Sequence, residues 1–283
     1  MRVMTLSEAL VYAAAKLESS DIENARFDAR CIIEHIADVS LTELMLGGKE
    51  LSHNEFDALK IALDRRISGV PLQYIIGEWE FMGHTFKVGE GVLIPRPETE
   101  LLVELALDKL KGIREPVVYD LCSGSGCIGL SIAAERPDAR VYLFEKYTEA
   151  FEFLQDNCRI MGCSGAHGIM YDIFRGADGL AFPEPDIIVS NPPYIRSNEM
   201  SALQTEVLHE PSTALDGGED GLDFYRVIAE KWLPFIKSRG SLIVECDPEQ
   251  TVLLARIFMP QSLSVRIYSD TFGLPRAVCA DKY

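Results

Sequence analysis

The residues best suited to chemistry in this chain are an amide, two prolines and a tyrosine that follow an apolar run. Ile187 to Val189 stop abruptly at Asn191-Pro192-Pro193-Tyr194. Prolines lack the N–H that strand pairing needs and restrict the preceding residue, so the strand must end in a stiff loop. The Asn191 side-chain oxygen and the Pro192 carbonyl can accept both hydrogens of an NH₂ group, while Tyr194 packs against a planar target. This arrangement suits the transfer of a methyl group to nitrogen, for which positioning is the main catalytic device.

A glycine-rich turn forms a second candidate site. Val117 to Leu121 is predicted to be a strand, and Cys122-Ser123-Gly124-Ser125-Gly126 leads from it into a helix. Glycines let the backbone approach a ligand, and the first N–H groups of a helix are free to bind it. The next strand ends at Glu145, 25 residues after Asp120, where a carboxylate can accept hydrogen bonds from ribose hydroxyls. The two features together predict a nucleoside-bearing cofactor. Each feature alone has a simpler explanation: the glycines could form an ordinary tight turn, and Glu145 could be an ordinary exposed glutamate at a strand end.

The elements around these sites alternate between strands and helices. Helices are predicted at 97–111, 127–135, 148–161, 221–237 and 248–258, and strands at 117–121, 141–145, 167–171, 186–190, 241–246, 263–268 and 276–281. Such alternation indicates a parallel sheet with helices on both faces, and two final strands without a helix between them indicate an antiparallel edge. Ligands of such sheets bind at the carboxyl ends of the strands. Both candidate sites are therefore expected at one edge of one sheet.

The N-terminal part of the chain carries no motif for chemistry. The patterns Thr5-x-x-Glu8 and Ser52-x-x-Glu55 are capping boxes, and each precedes apolar residues at helical spacing. Residues 74–76, 79–81 and 85–88 resemble short strands separated by glycines. The predicted organisation is a helical domain over 1–72, a β-hairpin linker over 73–96 and an α/β domain over 97–283.

Composition limits the possible functions. The chain has 283 residues and a formal net charge of −17, which disfavours a broad nucleic-acid footprint. No apolar run approaches the 18 residues of a membrane span, and Glu8 interrupts any signal peptide. The seven cysteines are irregularly spaced and lack a matching histidine pair, which indicates reduced thiols and no zinc site. We therefore expect a cytoplasmic protein without a metal.

The two motifs together resemble seven-strand S-adenosylmethionine-dependent methyltransferases that act on amide or exocyclic amine nitrogens. Three more stretches, Pro71 to Gly77, Phe81-Met82-Gly83 and Leu93-Ile94-Pro95-Arg96-Pro97-Glu98-Thr99-Glu100, closely resemble the HemK/PrmC family. Its members are glutamine methyltransferases of peptide-chain release factors. They have a small all-α N-terminal domain, a hairpin linker and a Rossmann-like methyltransferase domain. The resemblance covers essentially the whole chain and implies this fold.

The resemblance also implies an activity and the residues that perform it. It implies methylation of the side-chain amide nitrogen of the Gly-Gly-Gln glutamine in class I release factors, with S-adenosylmethionine as the cofactor. We expect transfer without a metal, and a monomer, since nothing in the sequence demands a dimer. The implied cofactor-binding residues are Arg96, Cys122, Ser123, Gly124, Ser125, Gly126, Glu145, Asp172, Ile173 and Asn191. Asn191, Pro192, Pro193 and Tyr194 would hold the glutamine, with Asn191, Pro192 and Tyr194 as catalytic residues. The helical domain would recognise the factor away from the glutamine.

Some positions depart from the family pattern, and other functions stay open. Cys122 stands where glycine is usual, Glu145 where aspartate is frequent, and Ile173 where an aromatic residue is frequent. Arg96 could simply be a salt-bridge residue that opens a helix. The resemblance places Glu210 to Gly221 at the substrate rim, whereas the residues alone predict only a flexible loop.

The main alternative is an adenine-N6 methyltransferase acting on DNA or RNA, which would need a basic track around its cleft. A second alternative is a binding protein that kept the fold without catalysis. A nicotinamide oxidoreductase has only the pattern Gly124-x-Gly126-x-x-Gly129 in its favour.

Overall fold

The computed structural model describes residues 4–46, 48–261 and 264–282. Within these residues the chain forms two compact units. The smaller, helical unit contains the residues up to Glu78 together with Gln204–His209. The larger unit contains Trp79–Leu203 and the residues from Glu210 onward. No sequence pattern indicated that 204–209 would join the N-terminal residues.

The described residues of the helical unit form five α-helices and one very short strand pair. The helices are α1 (Leu6–Glu18), α2 (Ala25–Ala37), α3 (Leu41–Leu46), α4 (His53–Ile67) and α5 (Leu72–Ile76). The strands β1 (Met4–Thr5) and β2 (Glu50–Leu51) pair antiparallel. Both predicted capping boxes form, since Thr5 and Ser52 each accept a hydrogen bond from the N–H three residues later. The predicted strand at 74–76 is wrong. Those residues lie in α5, because Pro71 caps the start of the helix and Gly77, at φ 84°, caps its end.

An ion triad around the buried Arg66 joins 204–209 to the helical unit. The Arg66 guanidinium lies 2.6 Å from Asp28 Oδ2 and 2.6 Å from Glu206 Oε1, and the Arg66 residue is only 6% exposed. Burial raises the pKa of Asp28, and the hydrogen bond and charge of Arg66 oppose that rise. Loss of Arg66 would leave the buried Asp28 carboxylate without its counter-charge, which is strongly destabilising. The three residues are 38 and 140 positions apart, so no local pattern could reveal their contact.

A β-hairpin precedes the main sheet in the chain. Its strands are β3 (Glu78–Phe81) and β4 (His84–Lys87), close to the predicted strands at 79–81 and 85–88. Met82 and Gly83 join them at φ 51° and 71°, and two positive φ angles match the right-handed twist of the flanking strands.

The larger unit contains a seven-stranded sheet of order β10-β11-β9-β8-β5-β6-β7. Its strands are β5 (Val117–Leu121), β6 (Arg140–Glu145), β7 (Ala166–Met170), β8 (Ile187–Ser190), β9 (Ser241–Glu245), β10 (Ser264–Ser269) and β11 (Pro275–Asp281). Strands β9, β8, β5, β6 and β7 are parallel, and β11 is antiparallel to both neighbours. The prediction of a Rossmann-like parallel sheet with an antiparallel edge is confirmed. Position 263 of the predicted strand 263–268 lies outside the described residues.

The helices of this unit differ from the predicted ones mainly at their ends. They are α6 (Glu100–Lys109), α7 (Cys127–Glu135), α8 (Thr148–Met161), α9 (Asp223–Lys231) and α10 (Thr251–Phe258). A 3₁₀ turn at Pro97–Thr99 precedes α6, and another at Pro248–Gln250 precedes α10. The prediction of one helix over 221–237 is wrong, because α9 ends at Lys231 and the chain continues as a 3₁₀ turn around Pro234. A proline inside a helix removes a hydrogen bond and clashes with the preceding turn.

The core lies on both faces of the sheet. Every residue of β5 is buried. On one face, Tyr119, Phe144 and Trp232 pack edge to face, with the Phe144 and Trp232 ring centres 5.3 Å apart. On the other face, Val118 and Leu143 pack against α7. This packing fixes the carboxyl ends of the central strands, where both candidate motifs lie.

Candidate active site

A pocket of about 890 Å³, partly open to solvent, lies at the carboxyl edge of the sheet within the larger unit. Of the residues singled out by sequence, the pocket is lined by Arg96, Cys122, Ser123, Gly124, Ser125, Glu145, Asp172, Ile173, Asn191 and Pro193. Gly126, Pro192 and Tyr194 lie beside these residues but are not among the described lining residues. The fold thus brings the glycine-rich turn and the Asn-Pro-Pro-Tyr motif to one cavity.

The glycine-rich turn alternates between ordinary and left-handed backbone. Cys122, Gly124 and Gly126 have φ angles of 58°, 54° and 82°. A Cβ on Gly124 would have only Val92 within contact distance, at 3.8 Å, so the missing side chain leaves space in the pocket. A Cβ on Gly126 would lie 2.5 Å from Leu154, so this glycine lets α7 pack closely. Cys122 is the residue that carries a side chain in a conformation that disfavours one.

A buried asparagine that sequence reasoning missed supports this turn from behind. Asn157 in α8 is fully buried and donates from Nδ2 to the Ser125 carbonyl, at 2.9 Å. The same amide donates to the Lys87 carbonyl and accepts from the Lys87 N–H. It therefore links β4, α8 and the turn. A polar residue on the apolar side of a predicted helix was the signal that could have identified it.

Within the part of the chain that the structure describes, the Glu145 carboxylate is held by backbone groups alone. Its Oε2 accepts from the Gly124 N–H at 2.9 Å, and its Oε1 accepts from the N–H groups of Lys146 and Tyr147 at 2.7 and 2.8 Å. Burial raises the pKa of Glu145, and these three N–H groups oppose the rise. An ionised carboxylate can accept about four hydrogen bonds, so capacity remains for a ligand hydroxyl. This remaining acceptor capacity fits the hydroxyl donors of the ribose in a nucleoside-bearing cofactor.

Aromatic rings line the pocket beside Ile173. Ile173 is buried, and its carbonyl accepts from Trp232 Nε1 at 2.8 Å. The Phe174 and Phe224 rings both line the pocket and pack edge to face with centres 5.1 Å apart. Asp172 accepts from the Phe174 N–H at 3.0 Å and pairs with Lys146. Planar apolar surface is therefore available despite the aliphatic residue at 173, and sequence reasoning missed both phenylalanines.

Arg96 lines the pocket and is also paired. It forms an ion pair with Glu210, whose side chain is only 2% exposed and whose other oxygen accepts from the Ile94 N–H at 3.0 Å. Glu210 therefore joins the loop after the Asn-Pro-Pro-Tyr motif to the segment before α6. The salt-bridge interpretation of Arg96 and the pocket interpretation both agree with this placement.

The loop over 210–221 braces the Asn-Pro-Pro-Tyr motif rather than hanging free. The Ile195 N–H donates to the Leu215 carbonyl at 2.9 Å, and the Gly217 N–H donates back to the Ile195 carbonyl at 2.8 Å. A Cβ on Gly217 would lie 2.7 Å from Tyr194 Cα, and one on Gly221 would lie 2.4 Å from the Tyr194 carbonyl. These glycines permit close backbone approach, which the prediction of a flexible loop did not foresee.

The nitrogen of the Asn191 side-chain amide is hydrogen-bonded within the protein, and the oxygen of that amide is available. Its Nδ2 donates to Thr99 Oγ1 at 3.2 Å. Among the described residues, none donates to Asn191 Oδ1 or to the Pro192 carbonyl. Two acceptors are therefore available for an NH₂ group.

Tyr194 is held in the protein on the other side of the motif. Its carbonyl accepts from Gln250 Nε2 at 2.9 Å, and its ring packs against the core. Burial raises the pKa of the Tyr194 hydroxyl well above its usual value, so the ring stays neutral.

The described residues show neither a membrane helix nor a metal cluster. No helix among them is long and apolar enough to cross a bilayer. No group of three or more His, Cys, Asp or Glu side chains among them could hold a metal ion. All seven cysteines are free thiols, and burial raises the pKa of Cys122 and that of Cys127.

Two family models match parts of the chain. The PrmC N-terminal domain matches residues 8–77, and the methyltransferase small domain matches residues 97–222. A relative from Aquifex aeolicus is 34% identical over 260 residues, which is 91% of this chain and 92% of the relative. A relative from Deinococcus radiodurans is 31% identical over 278 residues and 98% of each chain. A third, from Burkholderia pseudomallei, is 38% identical over 84% of each chain. Each is named release factor glutamine methyltransferase.

Solved structures share the fold at low sequence identity. The hMettl16 catalytic domain in complex with MAT2A 3′UTR hairpin 1 aligns with a TM-score of 0.58 at 12% identity, over 97% of this chain and 91% of that one. The T. thermophilus 16S rRNA N2 G1207 methyltransferase in complex with AdoMet and guanosine aligns with a TM-score of 0.53 at 19% identity, over 73% and 50%. These likenesses establish the methyltransferase fold and nothing finer.

Proposed function

This chain belongs to the release factor glutamine methyltransferase family, and we propose that it methylates the glutamine side-chain nitrogen in the Gly-Gly-Gln loop of class I peptide-chain release factors. The observation that carries this proposal is the pair of available acceptors, Asn191 Oδ1 and the Pro192 carbonyl, beside a pocket suited to a nucleoside. A primary amide has two N–H donors on one nitrogen, which matches that pair.

The cofactor of this family is S-adenosylmethionine, which supplies an electrophilic methyl group when bound. Glu145 would hold its ribose through the remaining capacity of a carboxylate already fixed by three N–H groups. The cofactor would pass close to the backbone of the turn at Gly124, because this glycine has no side chain to occupy that space. Phe174 and Phe224 would contact the base.

On the acceptor side, the chain's residues would orient the glutamine rather than activate it with a base. Asn191 and Pro192 accept its two amide hydrogens and so direct the nitrogen lone pair into the pocket. Such fixed orientation supplies a large part of the rate enhancement of many enzymes. After transfer the nitrogen is acidic, and its proton leaves to water.

The charges around the pocket favour a protein acceptor over a nucleic acid. The cations among its described lining residues are Arg96 and Lys146, and each is paired with a carboxylate, Glu210 and Asp172 respectively. Paired cations do not form the basic track that a DNA or RNA adenine methyltransferase needs.

The helical unit would bind the release factor away from the glutamine, because a short loop offers little surface for specificity. Val11, Met45 and Ile61 are exposed apolar side chains of this unit, each more than 60% exposed. Replacing all three with aspartate should raise KM for the intact factor and leave KM for a Gly-Gly-Gln loop peptide unchanged. An unchanged KM for the intact factor would contradict this role for the exposed side chains.

The test of the function is methyl transfer from labelled S-adenosylmethionine. The acceptors are intact release factor, the same factor with its loop glutamine changed, duplex DNA and RNA. We expect label on the intact factor alone, and Asn191→Ala should slow transfer about 5- to 150-fold, because one acceptor is lost. Label on nucleic acid would assign the protein to the adenine class, and cofactor binding without transfer would favour the non-catalytic alternative.

A further inference from the structure

A short chain of hydrogen bonds runs from the acceptor site into the protein. Asn191 Nδ2 donates to Thr99 Oγ1 at 3.2 Å, and the Thr99 hydroxyl donates to Glu245 Oε2 at 2.6 Å. Asn191 follows β8, Thr99 lies in the 3₁₀ turn before α6, and Glu245 ends β9. Thr99 and Glu245 are each only 2% exposed, so bulk water does not compete for these bonds.

The chemistry of these groups fixes which of them donate and which accept in this series of hydrogen bonds. A threonine hydroxyl has one proton, and an ionised carboxylate can only accept. Since the Thr99 proton points to Glu245, the Thr99 oxygen is left as an acceptor. An asparagine amide has donors on one side and an acceptor on the other. The NH₂ side of Asn191 therefore faces Thr99, and its oxygen faces away from Thr99.

We propose that Thr99 and Glu245 are positioning residues that fix the orientation of the Asn191 amide, so that the site selects an acceptor group that donates hydrogen bonds. The inference rests on the proposed function and adds the reason why a primary amide is chosen. An amide turned by half a rotation would present NH₂ to the substrate and repel the N–H groups of a glutamine. It would instead accommodate a carboxylate, as in glutamate.

The direction depends on Glu245 being ionised. Burial raises the pKa of Glu245 to about 7, the Thr99 hydroxyl and the charges of Arg276 and Arg96 oppose that rise, and Glu98 adds to it. A protonated Glu245 could donate to the Thr99 oxygen and free the threonine proton for Asn191. The experiment therefore belongs above that pKa, at about pH 8.5.

The experiment compares Thr99→Val, Thr99→Ser and Glu245→Gln with wild type and with Thr251→Val. Thr251 is a buried threonine of the same unit, and among the described residues its hydroxyl bonds only to the Pro248 carbonyl, at 3.0 Å. Its variant therefore measures the structural cost of such a change. Each variant is assayed for kcat and KM with intact release factor, for cofactor affinity by calorimetry and for thermal unfolding. A further measurement compares binding of the factor with its loop glutamine and with glutamate in its place.

We expect kcat of Thr99→Val to fall on the order of 10-fold, because one orienting hydrogen bond is lost. The kcat of Glu245→Gln should fall similarly, because the glutamine amide can donate to Thr99 and reverse the direction of the hydrogen bonds. Thr99→Ser, which keeps the hydroxyl, should stay within about threefold of wild type. The preference of the wild type for glutamine over glutamate in binding should shrink in Thr99→Val and in Glu245→Gln. Cofactor affinity should change no more than in Thr251→Val, and the same holds for thermal unfolding of the two Thr99 variants.

Wild-type kcat and an unchanged binding preference in Thr99→Val would overturn the inference. A loss that Thr99→Ser fails to restore would also overturn it, since the role would then be packing. If wild type transfers no methyl group to any factor, the proposed function fails. The binding preference still shows separately whether the positioning inference fails, because binding does not depend on methyl transfer.

Discussion

Glu145 and Glu245 are buried carboxylates in equivalent places on the sheet, but the chain satisfies them by different means. Glu145 ends β6 beside β5, and Glu245 ends β9 beside β8, so the two flank the central strand pair whose loops form the site. Glu145 accepts three backbone N–H groups, whereas Glu245 accepts the hydroxyl of Thr99. The hydrogen bonds to Glu145 come from the backbone, whereas the hydrogen bond to Glu245 comes from a side chain that a single substitution can remove.

The difference predicts separate kinetic effects for carboxylate-to-amide substitutions at the two strand ends. Glu145→Gln turns an acceptor of three N–H groups into a group with its own donors. We expect it to weaken cofactor binding on the order of 100-fold, because charge-assisted hydrogen bonds are lost and N–H groups left unpaired. Glu245→Gln should leave the cofactor Kd within about threefold of wild type and lower kcat. Calorimetry with the cofactor measures the first effect, and equal losses of affinity in both variants would refute the distinction.

The second prediction concerns the pH dependence of stability that the buried carboxyl of Glu245 causes. Its pKa is raised from the usual 4.5 to about 7, chiefly by burial. The folded chain therefore binds more protons than the unfolded chain between these values, and the free energy of unfolding falls as pH rises across the window. Glu245→Gln cannot titrate. Its free energy of unfolding relative to wild type should rise by about 1–3 kcal/mol from about pH 5 to pH 8.

Chemical denaturation at several pH values measures this difference. Asp120 also has its pKa raised by burial to about 7, but it titrates in wild type and variant alike and cancels in the comparison. A difference that stays constant with pH would show that Glu245 remains ionised throughout. A difference of this sign would mean that the ionised carboxylate needed to orient Asn191 is held at a cost in stability.

The smallest predicted effect concerns Cys122, in the turn next to Glu145. Cys122 has a φ of 58°, where a Cβ costs about 1 kcal/mol. Cys122→Ala keeps that strain and loses the thiol, whereas Cys122→Gly loses both. We expect the glycine variant to be at least as stable as the alanine variant, the reverse of the usual order of these residues. Thermal unfolding of the two variants decides this, and a less stable glycine variant would show that the strain is absent.

Local patterns were sufficient where the physical signal is local. The capping boxes at Thr5 and Ser52 formed as predicted, because both partners lie three residues apart. The prolines of the Asn-Pro-Pro-Tyr motif end β8 as predicted, because they lack the N–H that pairing requires. The strand predicted at 74–76 failed for the opposite reason. Its β-branched residues favoured a strand, but the proline before them and the glycine after them bound a helical turn.

Contacts between distant parts of the chain were beyond any local pattern. Thr99 is 92 residues from Asn191 and 146 from Glu245, so the hydrogen-bond chain joining them exists only once the sheet has formed. The same holds for Asn157 in α8, which supports Ser125 from 32 residues away. It also holds for Glu206, which completes the ion triad of the helical unit. No periodicity records which buried polar groups will meet.

The sequence by itself determined the types of residue at the carboxyl edge and the strands and turns that bring them there, because hydrophobic periodicity, proline and glycine act within a few residues of themselves. Only the tertiary structure decided how those residues are held and which way they face. The orientation of Asn191 follows from where a buried carboxylate, a hydroxyl and an amide come together. Buried polar groups must satisfy one another in space, and the partners that do so are chosen by the packing of the whole sheet.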